Sequence, residues 1–423
     1  MIVNQMQPII CEIVYKMLGL TTIRNTSVQV KLIGSIIVLL FLSLPYPLFA
    51  QGNNTGYGDD NTKPFTSIAE RILKIEKKQD VFNVFLNFSY AGEIGLGNIN
   101  NITRFKCKQF RLEIKGNITD RLYYRFRHRL NKASNSADDD NFAKVTDYMM
   151  VGYRLNDKWS LQAGKMCQFW GGFEFDANPM YIYQYSDMVD NIDSSKAGLA
   201  VLFKPVQSHE LVLEVSNARN EKLETSYPGI KAQRGRDAKV PFAYLINWNG
   251  NFSKNKLQTR WSLGLRTLAK STYSYQMILG QCLNLSKFKC YVDYSYEADD
   301  IDRMAVITNE ANSLLPADKS LFEKVGYHSI VVKADWQFFH QWNAYVQGMF
   351  ETASVRKGFV NLKGYRKHYS YLTGIEYYPV KSQDLHFSLS YIGQSFCFSD
   401  KSGLSGHNES RIELGMMYRI KCF

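Results

Sequence analysis

From residue 81 onward, apolar and polar residues alternate with a period of two, in stretches of about ten residues. Leu257, Thr259, Trp261, Leu263 and Leu265 share one parity, and Gln258, Arg260, Ser262, Gly264 and Arg266 the other. Leu122, Tyr124, Phe126, His128 and Leu130 alternate in the same way with Tyr123, Arg125, Arg127 and Arg129, as do Leu385, Phe387, Leu389 and Tyr391 with His386, Ser388 and Ser390. In a strand, successive side chains point to opposite faces, so each run has one apolar and one polar face. About ten residues is also the length a tilted strand needs to cross a bilayer.

The alternation predicts strands near 81–91, 104–116, 121–131, 145–155, 158–166, 196–205, 210–218, 240–250, 256–266, 272–285, 288–297, 326–338, 341–351, 367–378, 384–395 and 409–421. Short connections at 117–120, 156–157, 205–209, 251–255, 286–287, 340 and 379–383 alternate with others that are mostly long. An even number of antiparallel strands with short turns on one side and long loops on the other predicts an all-β fold, a transmembrane antiparallel β-barrel of sixteen strands. Both termini then lie at the periplasmic end. A soluble all-β sandwich is the competing reading; it calls for shorter strands and an apolar face turned inward. Strand-end aromatics such as Tyr153, Trp159, Trp248, Trp336, Trp342, Tyr377 and Tyr391 favour the barrel.

The N-terminal part follows other rules. Lys31, an apolar run over 32–44, two prolines and Ala50 read as a secretory signal peptide spanning 1–50. Residues 51–64 are a polar linker, and Phe65, Ile68, Ile72 and Ile75 form a short helical seam, so 51–80 is expected to be a periplasmic linker with a short helix. The barrel then occupies 81–423.

Composition agrees with this division. Only 21% of residues are charged while 14% are aromatic, and the sole long apolar run lies near the N-terminus, which excludes a polytopic helical membrane protein. The net charge of +12 falls to +10 once Lys16, Arg24, Lys31 and Glu12 leave with the signal peptide. The six cysteines beyond it lack metal-ligand spacing; Cys282 and Cys290 flank a turn, but small apolar filler is favoured over a disulfide. The seven histidines show no ligand spacing, and no nucleophile elbow or phosphate loop occurs, so no catalytic residue, metal or cofactor is expected. His386 with Ser388 or Ser390 is the one inward cluster a barrel hydrolase could use, and polar lining is its plainer reading.

In the last strand, Glu413, Gly415, Tyr418 and Ile420 match the polar-x-Gly-x-x-aromatic-x-hydrophobic pattern read by the β-barrel assembly machinery. The short helix before Val81, the Arg-rich hairpin 111–130, Trp159 to Lys165, Phe169-Trp170-Gly171-Gly172 and Tyr183 to Asp187 together resemble the phosphate-selective porins O and P, particularly their Bacteroidetes-type relatives. The resemblance implies a trimeric, sixteen-stranded outer-membrane porin of a Gram-negative cell, embedded in outer-membrane lipid. Its third external loop, at 167–195 here, would fold inward to narrow the pore. It also implies passive diffusion of small anions, phosphate among them, and no nucleic-acid partner.

Parity places Arg111, Arg125, Arg127, Arg129, Arg260 and Arg266 in the lumen and Lys106 outside. Arg125, Arg127 and Arg129 recur at spacings of ~7 Å along one strand, a row that can pass an anion between guanidinium groups. Such rows also brace barrels by pairing with acids, and Glu113 is the expected partner. The constriction loop carries Trp170, Phe173, Tyr183 and Tyr185 with several acids, which would suit stacking on a sugar or packing on the wall. A general or oligosaccharide-type porin, and a non-channel adhesin or hydrolase barrel, therefore stand as alternatives.

Overall fold

The computed structural model describes residues 81–96, 103–132, 141–227, 236–312, 321–357, 362–380 and 382–422. The expected signal peptide, linker and helical seam lie outside these residues. Sixteen strands follow one another: β1 (Asn83–Leu96), β2 (Thr103–Asn117), β3 (Leu122–Arg129), β4 (Thr146–Arg154), β5 (Trp159–Cys167), β6 (Ser195–Val206), β7 (His209–Asn217), β8 (Phe242–Phe252), β9 (Leu257–Ala269), β10 (Thr272–Asn284), β11 (Phe288–Ile301), β12 (Glu323–Phe339), β13 (Trp342–Lys357), β14 (Leu362–Tyr377), β15 (Asp384–Phe398) and β16 (His407–Lys421). Each pairs antiparallel with its neighbours in sequence, and β1 pairs with β16, so the sheet closes without an edge. Every predicted window corresponds to one of these strands.

The dyad repeat decides which face each residue takes. Outward positions are apolar and open, as at Leu199 and Leu414, while Arg111, Glu113, Arg260 and Glu297 are buried inside. Aromatic pairs gather near the short turns, including Trp159 with Phe203 (4.3 Å), Trp342 with Tyr377 (4.6 Å) and Trp248 with Trp261 (5.3 Å). Such rings suit the membrane–water interface. Cys282 points inward, whereas Cys290 lies opposite Leu283 on the outward face, so the two sulfurs do not meet; the six described cysteines are all free.

Two of the sheet's register shifts change which residues face the lumen beside the Arg-rich hairpin. Ser89 faces Gln109 while Tyr90 faces Cys107, which leaves Lys108 as an extra residue in β2. Beyond it the faces exchange. Lys106, expected outside, therefore stands opposite buried Ala91 with its ammonium 3.9 Å from Glu93, and Arg104 Nε donates to Glu93 at 2.8 Å. In β4, Arg127 faces Tyr148 and His128 faces Thr146, so Asp147 is the extra residue and turns inward.

Among the described residues, four short α-helices lie in the loops: α1 (Phe173–Asp176), α2 (Asp187–Asp190), α3 (Leu223–Ser226) and α4 (Val306–Asn312). The first two belong to the connection from β5 to β6, residues 168–194, which runs through the barrel interior.

Candidate functional site, a channel constriction

The β5–β6 loop is held to the wall chiefly through its backbone. Phe169 N donates to Glu214 Oε2 (2.8 Å) and Gly171 N to Ser262 Oγ (2.8 Å). Asp293 accepts from Phe173 N (2.9 Å) and Glu174 N (2.7 Å), and Glu351 from Asp187 N (2.9 Å) and Met188 N (3.3 Å). These carboxylates sit on the inward parity of β7, β11 and β13, where the dyad repeat delivers them.

Glycines set how closely the loop can approach. Gly172 has φ +89°, a conformation that favours glycine, and a Cβ on Gly171 would lie 2.6 Å from the Arg260 carbonyl oxygen. On the wall, a Cβ at Gly264 would lie 2.1 Å from the Trp170 ring. The Phe169-Trp170-Gly171-Gly172 motif is therefore a crossing point where loop and sheet backbones nearly touch.

The aromatic residues of the loop pack. Trp170 lies under the Arg266 guanidinium (4.4 Å), Phe173 beside Tyr291 (5.9 Å), and Tyr183 stacks on Tyr345 (4.8 Å) while donating to Glu376 (2.8 Å). Tyr181 donates to both Asp384 oxygens (2.8 and 2.9 Å), and His386 is buried between Tyr181 and Tyr378. Tyr185 is half-buried and lies within electrostatic reach of Arg111.

The carboxyl of Glu174 is wholly buried. Desolvation pushes its pKa up to about 8, although Ser186 N (2.8 Å) and Oγ (2.6 Å) hydrogen-bond to it. Asp187 goes the other way. Burial opposes its charge, but His368 Nδ1 (2.9 Å) and Arg366 bond to it and hold it well below the usual carboxylate range. Ligand-type atoms of Asp187, Glu351 and His368 converge within 4.8 Å. Arg366 already supplies positive charge there and also bonds Glu310 of α4 (2.6 Å), so the group acts as an ion-pair lock between the loop, β13 and β14.

The structure brings Arg111, Arg125, Arg127 and Arg129 together on β2 and β3. Arg125 pairs with Glu113 (2.7 Å), as expected from the sequence, and Arg419 of β16 approaches the same carboxylate (3.6 Å). The other three share Asp147: Arg111 at 3.1 Å, Arg127 at 3.1 Å and Arg129 at 2.8 Å. Tyr148 lies beneath two members of the row, 4.2 Å from Arg125 and 4.7 Å from Arg127. Arg129 keeps the most exposed side chain, at 32%. Arg260 and Arg266 lie apart from this group, beneath the loop at 2% exposure, beside Phe173 and Trp170.

Sequence reasoning missed Asp147 and Lys108 because each occupies a bulge. Lys108 Nζ bonds Glu413 (2.6 Å) and the Tyr183 carbonyl (3.3 Å), while Arg411 bonds Glu413 (2.6 Å) and Gln184 (2.8 Å). The loop tip is thus also touched from β2 and β16, beside the arginine row.

The profile of the family described as phosphate-selective porin O and P matches residues 91–420. Among solved structures, the outer-membrane channel DcaP of Acinetobacter baumannii is similar at 11% identity, covering 82% of this chain and 100% of its own, with a TM-score of 0.57. A trimer form of OmpT, an outer membrane protein of Vibrio cholerae, gives 8%, 81%, 100% and 0.50. OmpF of Salmonella typhi, in complex with daunomycin, gives 10%, 80%, 97% and 0.50. No curated protein matches. With a closed sixteen-stranded barrel, an inward-running loop and a family match over most of its length, the chain belongs to the phosphate-selective porin O and P family and is an outer-membrane porin of a Gram-negative cell.

Proposed function

We propose that this porin passes small anions in preference to cations, phosphate among them, by passive diffusion and as a homotrimer. The observation that carries the reading is charge imbalance: three guanidinium groups share Asp147, and two approach Glu113. Lys115 and Lys421 add charge further along the same wall, over the Phe85 ring with Arg419. Fixed surplus charge in a narrow, low-dielectric passage raises the local anion concentration and repels cations. Guanidinium groups suit phosphate because they can donate two parallel hydrogen bonds. The trimer rests on the family, and the last-strand pattern supports delivery by the barrel assembly machinery. The stacked, buried state of Tyr183 and its neighbour Tyr181 supports packing of these two rings on the wall over stacking on a sugar.

Planar-bilayer recording tests the reading. In a potassium chloride gradient the wild-type channel should show an anion-directed zero-current potential, and phosphate should reduce the chloride current. The pair Arg111→Gln with Arg129→Gln should lose more than half of the anion-to-cation permeability ratio. A cation-preferring wild type, or a double variant of unaltered selectivity, would leave a general porin braced by its arginines.

A further inference from the structure

The outer face of the barrel is mostly apolar or aromatic, yet two lysines stand on it at the external ends of β12 and β14. Lys324 is ion-paired with Asp300. Lys367 is exposed, and no carboxylate among the described residues pairs with it. A charge on the lipid-facing side is costly at the bilayer midplane and tolerated near the interfaces, so the height of Lys367 in the membrane decides what it can meet.

That height can be read along the strands. Ten residues separate Lys367 from Tyr377 on β14, and ten separate Thr352 from Trp342 on β13. The stacked pair of Trp342 and Tyr377 lies beside the short turns and marks the periplasmic edge of the apolar band. A strand tilted by about 45° rises ~2.3 Å per residue, which puts Lys367 and Thr352 ~23 Å above that pair, against a band of ~25 Å. Lys367 therefore stands at the external boundary, where lipid headgroups begin.

The register assembles other polar groups beside it. Lys367 faces Thr352, Thr352 faces His328, and His328 faces Tyr296, so all four share one level of the outer face. With neighbouring strands ~4.8 Å apart, an ammonium, a hydroxyl and an imidazole fall within ~10 Å. The Tyr294 hydroxyl lies 2.9 Å from His328 Nδ1, and the imidazole rests beside the Tyr296 ring at 4.8 Å. One level lower, towards the periplasm, Ile330, Phe350 and Tyr369 face one another, with the two rings 5.0 Å apart. A polar shelf thus stands directly above an apolar one.

We propose that Lys367, Thr352 and His328 bind the phosphate of a phosphorylated glycolipid of the outer leaflet, whose acyl chains run down over Ile330, Phe350 and Tyr369. A phosphate group supplies the negative charge that Lys367 lacks and several acceptor oxygens for its neighbours. The site lies outside the barrel and is independent of any selectivity in the lumen.

Native mass spectrometry of the full chain in mild detergent tests the proposal, with lipid A as the probe and its dephosphorylated form as the comparison. The wild type should retain lipid A at least fivefold more than the dephosphorylated form. Lys367→Gln should abolish that preference, while Lys287→Gln, in the turn between β10 and β11, should keep it. Excess inorganic phosphate should leave the adduct intact; displacement would assign Lys367 to free phosphate and overturn the lipid site. On the unsubstituted protein, lipid A should shield Lys367 from an amine-acylating reagent at least fivefold and leave Lys287 reactive. Equal retention of both lipids, or equal acylation of Lys367 with and without lipid A, would also overturn the proposal.

Discussion

On the wall that runs from β16 through β1 to β4, one aspartate serves three arginines; on the wall from β11 to β15, inward carboxylates are taken up by the constriction loop. Asp293 and Glu351 accept its backbone amides, and Glu376 and Asp384 its phenols. The same dyad repeat placed polar residues on both walls. What separates them is the loop, which takes up the carboxylates of one wall and meets the other at its tip, through Lys108 and Arg411, so that the charge surplus around Asp147 stays. Inward parity is therefore necessary for lining a channel, and loop coverage decides which inward residues do so.

Freeing the loop from its wall should have the largest effect. Asp293→Ala removes the acceptor of two buried amides, and with ~1–3 kcal/mol for each unsatisfied group the loop seat should weaken by roughly 3 kcal/mol. Single-channel recording should then show larger and noisier conductance; unchanged traces would mean that the loop is held elsewhere. Gly264→Val acts from the opposite side, since any Cβ there overlaps the Trp170 ring, and it should raise conductance with a lower yield of folded barrel on unheated gels.

A smaller effect should come from pH. The fold favours the neutral form of Glu174, so its contribution to the loop seat is fully present below the ordinary glutamate range, and it is lost as pH rises through about 8. Current noise should increase between pH 6 and pH 9, and Glu174→Gln should flatten that dependence. An equal rise in the glutamine variant would assign the effect to another group.

The mildest change is Lys106→Gln. Because Lys106 faces Glu93 inside the barrel, its loss should shift the zero-current potential by a few millivolts towards cations at low salt. The shift should vanish at 1 M salt, where the screening length is ~3 Å. A null result at low salt would confine selectivity to the arginine row.

The strands were legible because burial against lipid enforces the period of two along every one of them, including β9, where Leu257 to Leu265 alternate without interruption. Bulges were not legible. A single extra residue leaves composition untouched and reverses the faces beyond it, which is how Lys106 came to be expected outside and Asp147 was overlooked. Arg111, Arg125, Arg127 and Arg129 could be grouped from sequence because they lie on one hairpin. The position of Arg260 and Arg266 beneath the loop depends on contacts across 80 residues or more, such as the pairing of Arg260 with Asp176, and no local pattern encodes that distance.

The seat of the constriction loop has a consequence for how such channels diversify. Glu214, Ser262, Asp293 and Glu351 grip main-chain amides, which every residue except proline provides. Anchorage is thereby separated from the identity of side chains such as Tyr185 and Asp190. A lineage, or an engineer, can rewrite what the loop shows to a passing solute while the wall continues to hold the loop in place.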